Sequence, residues 1–295
     1  MIGYRAARWF LVGLLLASVF PAQARELEEI RQTGVLRHLG IPYANFVTGS
    51  GDGLDVELMQ GFARYLGVRY EFVSTDWNNA WGDLTGRHAQ REGKRARWLD
   101  ATPVRGDVLA NGVTILEWRR AVVDFSKPLF PSGVWLVAQA SSTLRPIAPT
   151  GHLDADIALV KQLMKDKSVL ALENTCLDPN LYGIAETGAR LKLANTRIQL
   201  NEMAPAVLNG DAETTLLDVP DALIALGKWP GQLKVIGPVS GQQEMAVAFP
   251  KTAPRLRAAF GQYLDQLWRD GSYVILVRRY YPDILDYYRD FFENR

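Results

Sequence analysis

The sequence predicts an α/β protein of two lobes, each a sheet flanked by helices, joined by a two-strand hinge. Three observations carry this. A strand–helix–strand pattern opens the chain, a second αβ pattern follows an apolar run at 134–138, and another apolar run at 244–249 leads back. Alternating strands and helices imply parallel sheets with crossover helices, and two passages between αβ units imply two lobes. With 48% of its 295 residues hydrophobic, the chain can bury two moderate cores. The expected division is a leader over 1–24, a first lobe from 25–137 and 248–295, and a second lobe from 138–247.

The leader comes first. Arg5 and Arg8 precede an apolar run at 9–20 and the triplet Ala22-Gln23-Ala24, the pattern of a secretory signal cleaved near Arg25. The run is short of the ~20 residues that span a bilayer, so no membrane insertion is expected after cleavage. No cysteine follows it to take a lipid anchor, and the expected location is the periplasm.

Strands at 35–40 and 70–73 flank a helix in which Val56, Met59, Phe62, Ala63 and Leu66 share a face, with Asp55 as its cap and Gly67 as its stop. The segment 87–105, with His88, Arg91, Lys94, Arg95, Arg97 and Trp98, has no clean period and is read as an inserted surface loop. Asp107 to Thr114 reads as the next strand. In the second lobe, helices are expected near 154–165 and 205–209, and strands at 169–172, 197–200 and 214–217. Pro254 starts a helix that Gly271 closes, and the Tyr- and Phe-rich tail at 273–292 reads as packing on the first lobe.

Composition excludes several function classes. Loss of Arg5 and Arg8 from 33 Lys+Arg, against 32 Asp+Glu, leaves the exported chain near neutrality, which argues against nucleic acid as a partner. Cys176 is the one cysteine, so no internal disulfide forms, and His38, His88 and His152 share no ligand spacing. No metal and no cofactor are expected. No Ser-His-Asp order, phosphate loop or paired-carboxylate motif stands out.

The most informative stretch is 106–126: a buried-type strand, a small-residue turn at Gly112, and Arg119 at the head of a helix. Backbone N–H groups after Gly112 and the planar guanidinium can converge on one carboxylate. The stretch resembles the signature of the family 3 extracellular solute-binding proteins, periplasmic receptors for polar amino acids, in which an Asp, a Gly-Met-Thr-Ile-Thr-like turn, an Arg and Val-Asp-Phe-Ser follow at these spacings. Gly34-Val35-Leu36-Arg37, Ile41-Pro42-Tyr43-Ala44-Asn45-Phe46 and Gly53-Leu54-Asp55-Val56-Glu57-Leu58 resemble the family's opening, and Trp268-Arg269-Asp270-Gly271-Ser272-Tyr273 its closing helices. The second lobe matches more loosely, at Leu172-Glu173-Asn174-Thr175 and Leu217-Asp218-Val219-Pro220.

The resemblance implies a type II periplasmic-binding fold. It also implies that Arg119 takes a ligand α-carboxylate from the first lobe and Asp218 an α-ammonium from the second, unless Asp218 serves only as a helix cap. Thr175 would add its backbone N–H, and its hydroxyl, to the carboxylate. Asn111 would face the ammonium, and Tyr43 or Phe46 would line the pocket, with Trp77 as a second stacking wall. Leu116 stands where the family has a hydroxyl residue, leaving only a backbone N–H, and Asn174 replaces a glycine. These two departures widen the expected ligand from a standard amino acid to related carboxylates.

The implied function is capture of a small zwitterion or carboxylate by hinge closure, by a monomer that presents the closed form to a membrane ABC permease or sensor. Two alternatives stand beside it. One is a cyclohexadienyl dehydratase-like enzyme, for which Glu173 is the candidate proton donor. The other is an accessory protein docking to a periplasmic partner through 87–105. Lytic transglycosylases carry a similar receptor-like domain followed by a catalytic one, for which this chain is expected to leave no room.

Overall fold

The computed structural model describes residues 24–194 and 199–293. The expected leader lies outside them apart from Ala24. In chain order the strands are β1 (Val35–Gly40), β2 (Arg69–Ser74), β3 (Arg87–Glu92), β4 (Arg95–Ala101), β5 (Val108–Thr114), β6 (Asp124–Phe125), β7 (Phe130–Ser132), β8 (Val134–Gln139), β9 (Ser168–Ala171), β10 (Arg190–Leu193), β11 (Thr214–Asp218), β12 (Leu233–Pro238) and β13 (Gln243–Phe249). They form a sheet in the order β2-β1-β5-β13-β6, with β7 also on β13, a second sheet in the order β10-β9-β11-β8-β12, and the hairpin β3-β4.

Each sheet has a parallel core. β1 pairs in parallel with β2 and β5, and β9 with β10 and β11, as strand–helix–strand units require. Every residue of β5 and of β11 is buried, the polar Asn111, Thr114, Thr214, Thr215 and Asp218 included. The antiparallel strands β13 and β8 complete the sheets.

The chain passes between the sheets at Gly133 and again over 239–242. β7 pairs with β13 on the first-sheet side, Val239 N–H donates to Val134 O at 2.7 Å, and Val134 N–H donates to Ser240 Oγ at 2.8 Å. The two connections therefore run side by side as a paired hinge. The run 244–249 lies wholly in the first sheet, where its partners are β5, β6 and β7.

The opening unit forms as expected, with Gly67 ending the helix Leu54–Leu66 at φ 73°. Asp55 does not cap it. Gly53 occupies that place, and Asp55 is the second residue of the helix, where its buried carboxyl group reaches β5. Most of the segment 87–105 is no loop but the hairpin β3-β4, which ends at Ala101 and turns at Gly93 with φ 62°. Its arginines face mostly outward, and this charged exterior hid the strand alternation.

In the second lobe the strand beside β9 is Arg190–Leu193, and Leu200–Glu202 is a single 3-10 turn; the strand expected at 197–200 falls partly outside the described residues. Near the end, the helix Pro254–Arg269 stops at Asp270, and Gly271 starts the next helix, Ser272–Tyr280. The aromatic tail packs on the first lobe: the ring of Tyr281 lies 4.9 Å from that of Phe130 and 5.1 Å from that of Phe46, and its hydroxyl accepts from Asn45 N–H.

Candidate functional site

Arg119 sits in the helix Glu117–Val122, directly after β5, and is only 1% exposed. Three indoles enclose its guanidinium, with the ring centroids of Trp77, Trp81 and Trp118 at 5.0, 5.2 and 5.6 Å from its central carbon. Nη1 donates to Thr114 O at 2.8 Å, whereas Nε and Nη2 find no partner among the described residues. Those two nitrogens form one edge of the guanidinium, the edge that grips a carboxylate with two parallel hydrogen bonds. Burial pulls the Arg119 pKa down to about 10, against the opposing pull of Cys176, Tyr182 and Tyr43, so the side chain stays cationic at neutral pH.

Beside it on β5, Asn111 is fully buried, and neither its Oδ1 nor its Nδ2 has a partner among the described residues. Gly112, at φ 64°, lets the strand turn there. Its N–H donates to Asp55 Oδ2 at 2.7 Å, and a Cβ at this position would come within 2.5 Å of the Phe46 ring. Burial pushes the Asp55 carboxyl up to about 7, opposed by that single hydrogen bond.

Asp218 comes from the other lobe, at the end of β11. It caps the helix Val219–Lys228, with Oδ1 accepting from Asp221 N–H at 3.2 Å, so the capping reading holds. Its second oxygen accepts from the hydroxyl of Tyr43, across the cleft, and from the Cys176 thiol at 3.4 Å. Burial raises the Asp218 pKa, and burial together with Asp218 holds Asp221 well above the carboxylate range. Cys176 lies within electrostatic reach of both Arg119 and Asp218, and burial pushes its thiol up.

The remaining residues divide. Thr175 is buried in the second-lobe turn, its hydroxyl donating to Leu172 O at 2.8 Å and accepting from Leu177 N–H at 3.0 Å. Leu116 is the N-cap residue of the Arg119 helix and is buried. Phe46 does not line the pocket: it stacks behind Tyr43, with centroids 5.9 Å apart, and meets Phe130 and Tyr281 in the core. Of the two aromatic candidates, Tyr43 is the one that faces the seam.

A cavity of about 410 Å³ opens between the lobes, with Ile41, Pro42 and Trp77 on one side and Leu172, Glu173 and Thr175 on the other. Trp77 lines this cavity and also meets the Arg119 guanidinium, whereas Arg119, Asp218, Tyr43 and Asn111 are buried and do not line it. A larger concavity, about 900 Å³, lies elsewhere, against Lys127, Asp265 and Trp268; the buried unpartnered polar atoms of Arg119 and Asn111 mark the cleft instead. Sequence reasoning missed Trp81, Trp118, Cys176 and Tyr182. The indoles carried a signal in the four-residue spacing of Trp77 and Trp81 and in Trp118 next to Arg119. Among the described residues no cluster of His, Cys, Asp and Glu could hold a metal ion.

Two sheets joined by a paired hinge, with a cavity between them, define a two-lobed α/β protein of the kind found among solute-binding proteins. The chain belongs to the bacterial extracellular solute-binding proteins, family 3, whose model matches residues 98–283. A membrane-bound lytic murein transglycosylase F of Desulfosudis oleivorans is 23% identical over 238 residues, which are 80% of this chain and 46% of the relative. The chain thus spans about half the length of that curated relative.

Among solved structures, a mutant of ArgBP from T. maritima aligns with a TM-score of 0.67 at 22% identity, covering 87% of this chain and 99% of that one. An ancestral amino acid-binding protein described as a precursor of cyclohexadienyl dehydratase aligns with a TM-score of 0.66 at 22% identity, covering 86% and 98%. At such identities these likenesses establish the fold.

Proposed function

We propose that this solute-binding protein captures a small amino acid or related carboxylate in the cleft by hinge closure. It then delivers the ligand to a membrane ABC permease or sensor, acting in the periplasm as a monomer and performing no chemistry itself. The observation that carries this reading is the Nε/Nη2 edge of Arg119, cationic, buried beneath three indoles and without a partner among the described residues. An unpaired buried charge costs several kcal/mol, and a ligand carboxylate on that edge returns much of that cost.

Asp218 supports a zwitterion less directly. Both of its oxygens are engaged, by Asp221, Tyr43 and Cys176, so a ligand ammonium must share or displace the Tyr43 hydroxyl. Asn111 offers an amide oxygen that needs no such exchange.

A thermal-shift screen of the standard L-amino acids and small organic acids tests the reading. A ligand at a hundred times its dissociation constant adds about 2.7 kcal/mol. For a chain of this size that is a rise of roughly 5–10 °C. Arg119→Ala should abolish the shift, and a variant that keeps it removes the site assignment.

One observation favours a second reading. Glu173 is exposed at the cavity wall beside Thr175, where a proton donor for a dehydratase-like reaction would stand. Product formed from prephenate by the purified protein, and lost in Glu173→Gln, would establish it.

A further inference from the structure

The hairpin β3-β4 belongs to the first lobe. β3 packs on the helix Ala80–Thr85, and β4 on the helix Glu117–Val122 that carries Arg119. Yet one of its side chains leaves that lobe. Arg91 donates from Nη2 to Asp178 Oδ2 at 2.7 Å and from Nε to the same oxygen at 3.2 Å, while Nη1 is steadied by Gly93 O at 3.1 Å. The pair is well shielded, with side chains 11% and 3% exposed.

Asp178 is the hub of the second-lobe turn. Oδ2, the oxygen that Arg91 grips, also accepts from Asn174 N–H at 3.1 Å, and Oδ1 accepts from the backbone N–H and side chain of Asn180, both at 3.0 Å. Asn174 adopts φ 61°, a left-handed conformation that asparagine tolerates but that needs holding. Asn174 and Thr175 line the cleft cavity. A guanidinium on the hairpin is thus one atom away from the backbone amide that fixes the cleft-lining turn.

We propose that the hairpin is an ion-paired strap across one flank of the cleft, with Arg91 a positioning residue that acts through Asp178 on the Asn174–Thr175 turn. The inference rests on reading the cleft as the ligand site, and it adds a cross-lobe tie made entirely by the chain itself. Separation of the lobes breaks the pair, so the strap favours the closed form and sets the turn that a ligand meets. It gives the inserted segment a role inside the molecule.

Hydrogen exchange of the exported chain, run with no added solute, tests the strap. Arg91→Gln should speed exchange through 172–178 by roughly tenfold, the effect of losing one charge-assisted tie, and leave 168–171 in β9 unchanged. Arg91→Lys keeps the charge without the fork and should recover part of the protection. Asp178→Asn, which also turns one of the two accepting oxygens into a donor, should speed exchange through 172–178 at least as much as Arg91→Gln, and adding Arg91→Gln to it should give no further increase. Wild-type exchange rates through 172–178 in Arg91→Gln, or equal rates in Arg91→Lys and Arg91→Gln, overturn the proposal. L-Arginine and L-glutamine serve as separate probes of the cleft: failure of the wild-type protein to bind either counts against the ligand reading and leaves the exchange comparison standing.

Discussion

Asp55 and Gly112 lie 57 residues apart in sequence, and the carboxylate of one accepts the backbone N–H of the other at 2.7 Å in the interior of the first lobe. The bond fixes the only positive-φ residue of β5 immediately beside Asn111, and so sets the direction in which that strand delivers its polar side chains to the cleft. Gly112→Ala forces a Cβ against the Phe46 ring and a left-handed alanine at once. The expected loss is about 2–4 kcal/mol, from about 1 for the backbone and 1–3 for overpacking, read from the denaturant midpoint.

Two buried groups give stability opposite pH dependences. Asp55, raised from 3.8 to about 7, contributes most below 3.8 and loses that contribution as the pH climbs toward 7, because the folded state binds the extra proton in this window. His38 is lowered from 6.5 to about 4 by burial, so its contribution is complete above 6.5 and lost as the pH falls toward 4. Its ring explains the preference: Nε2 faces Ala110 O at 2.6 Å and must donate, which leaves Nδ1 to accept from Tyr70 at 2.9 Å in the neutral form. Between pH 4 and 6.5, Asp55→Asn should therefore make the stability profile rise relative to wild type, and His38→Gln should make it fall. Each difference is on the order of 3 kcal/mol across the window, measured by urea unfolding at fixed pH steps.

Arg119 separates stability from binding. Arg119→Met keeps an apolar stem that ends short of the guanidinium's place among the indoles and removes a buried charge with unfilled donors. Stability of the free protein should rise by about 1–4 kcal/mol while carboxylate binding disappears, seen as a higher melting temperature that no solute moves. A fall in melting temperature would show that the guanidinium is satisfied in the free protein.

Cys176 is the one cysteine, fully enclosed at the seam and held as a thiol by burial and by Asp218. A thiol reagent should modify the native protein only as fast as the lobes separate. A bound solute should slow labelling in proportion to occupancy, and Tyr43→Phe, which removes a cross-lobe hydrogen bond to Asp218, should quicken it several-fold. Labelling at the rate of a free thiol, with or without solute, would contradict the closed geometry.

The parts of this fold that follow from local pattern were legible in the sequence. β1 and the helix Leu54–Leu66 announced themselves by spacing and by Gly67, and β5 and β11 by short runs rich in Val, Leu and Thr. The hairpin β3-β4 was not legible, since its outward arginines remove the alternation that marks a half-buried strand. The candidate site was legible in part: Asp218 meets Tyr43 of the other lobe, and Arg119 lies within electrostatic reach of Cys176, while a ligand role for either is the proposal. It was not legible where long-range packing decides. Nothing local separates Tyr43, which reaches Asp218, from Phe46, which turns into the core, and no spacing rule joins Arg91 to Asp178.

The indole box around Arg119 also has an optical consequence. Trp77, Trp81 and Trp118 are three of the eight tryptophans in the chain, and all three press on the charge that a carboxylate would neutralise. Neutralising that charge alters the field at the indoles, so a carboxylate bound as proposed should be visible in intrinsic fluorescence. On the proposed reading these indoles would report binding without an added dye, and Trp77, which borders the open cavity, should change its spectrum most.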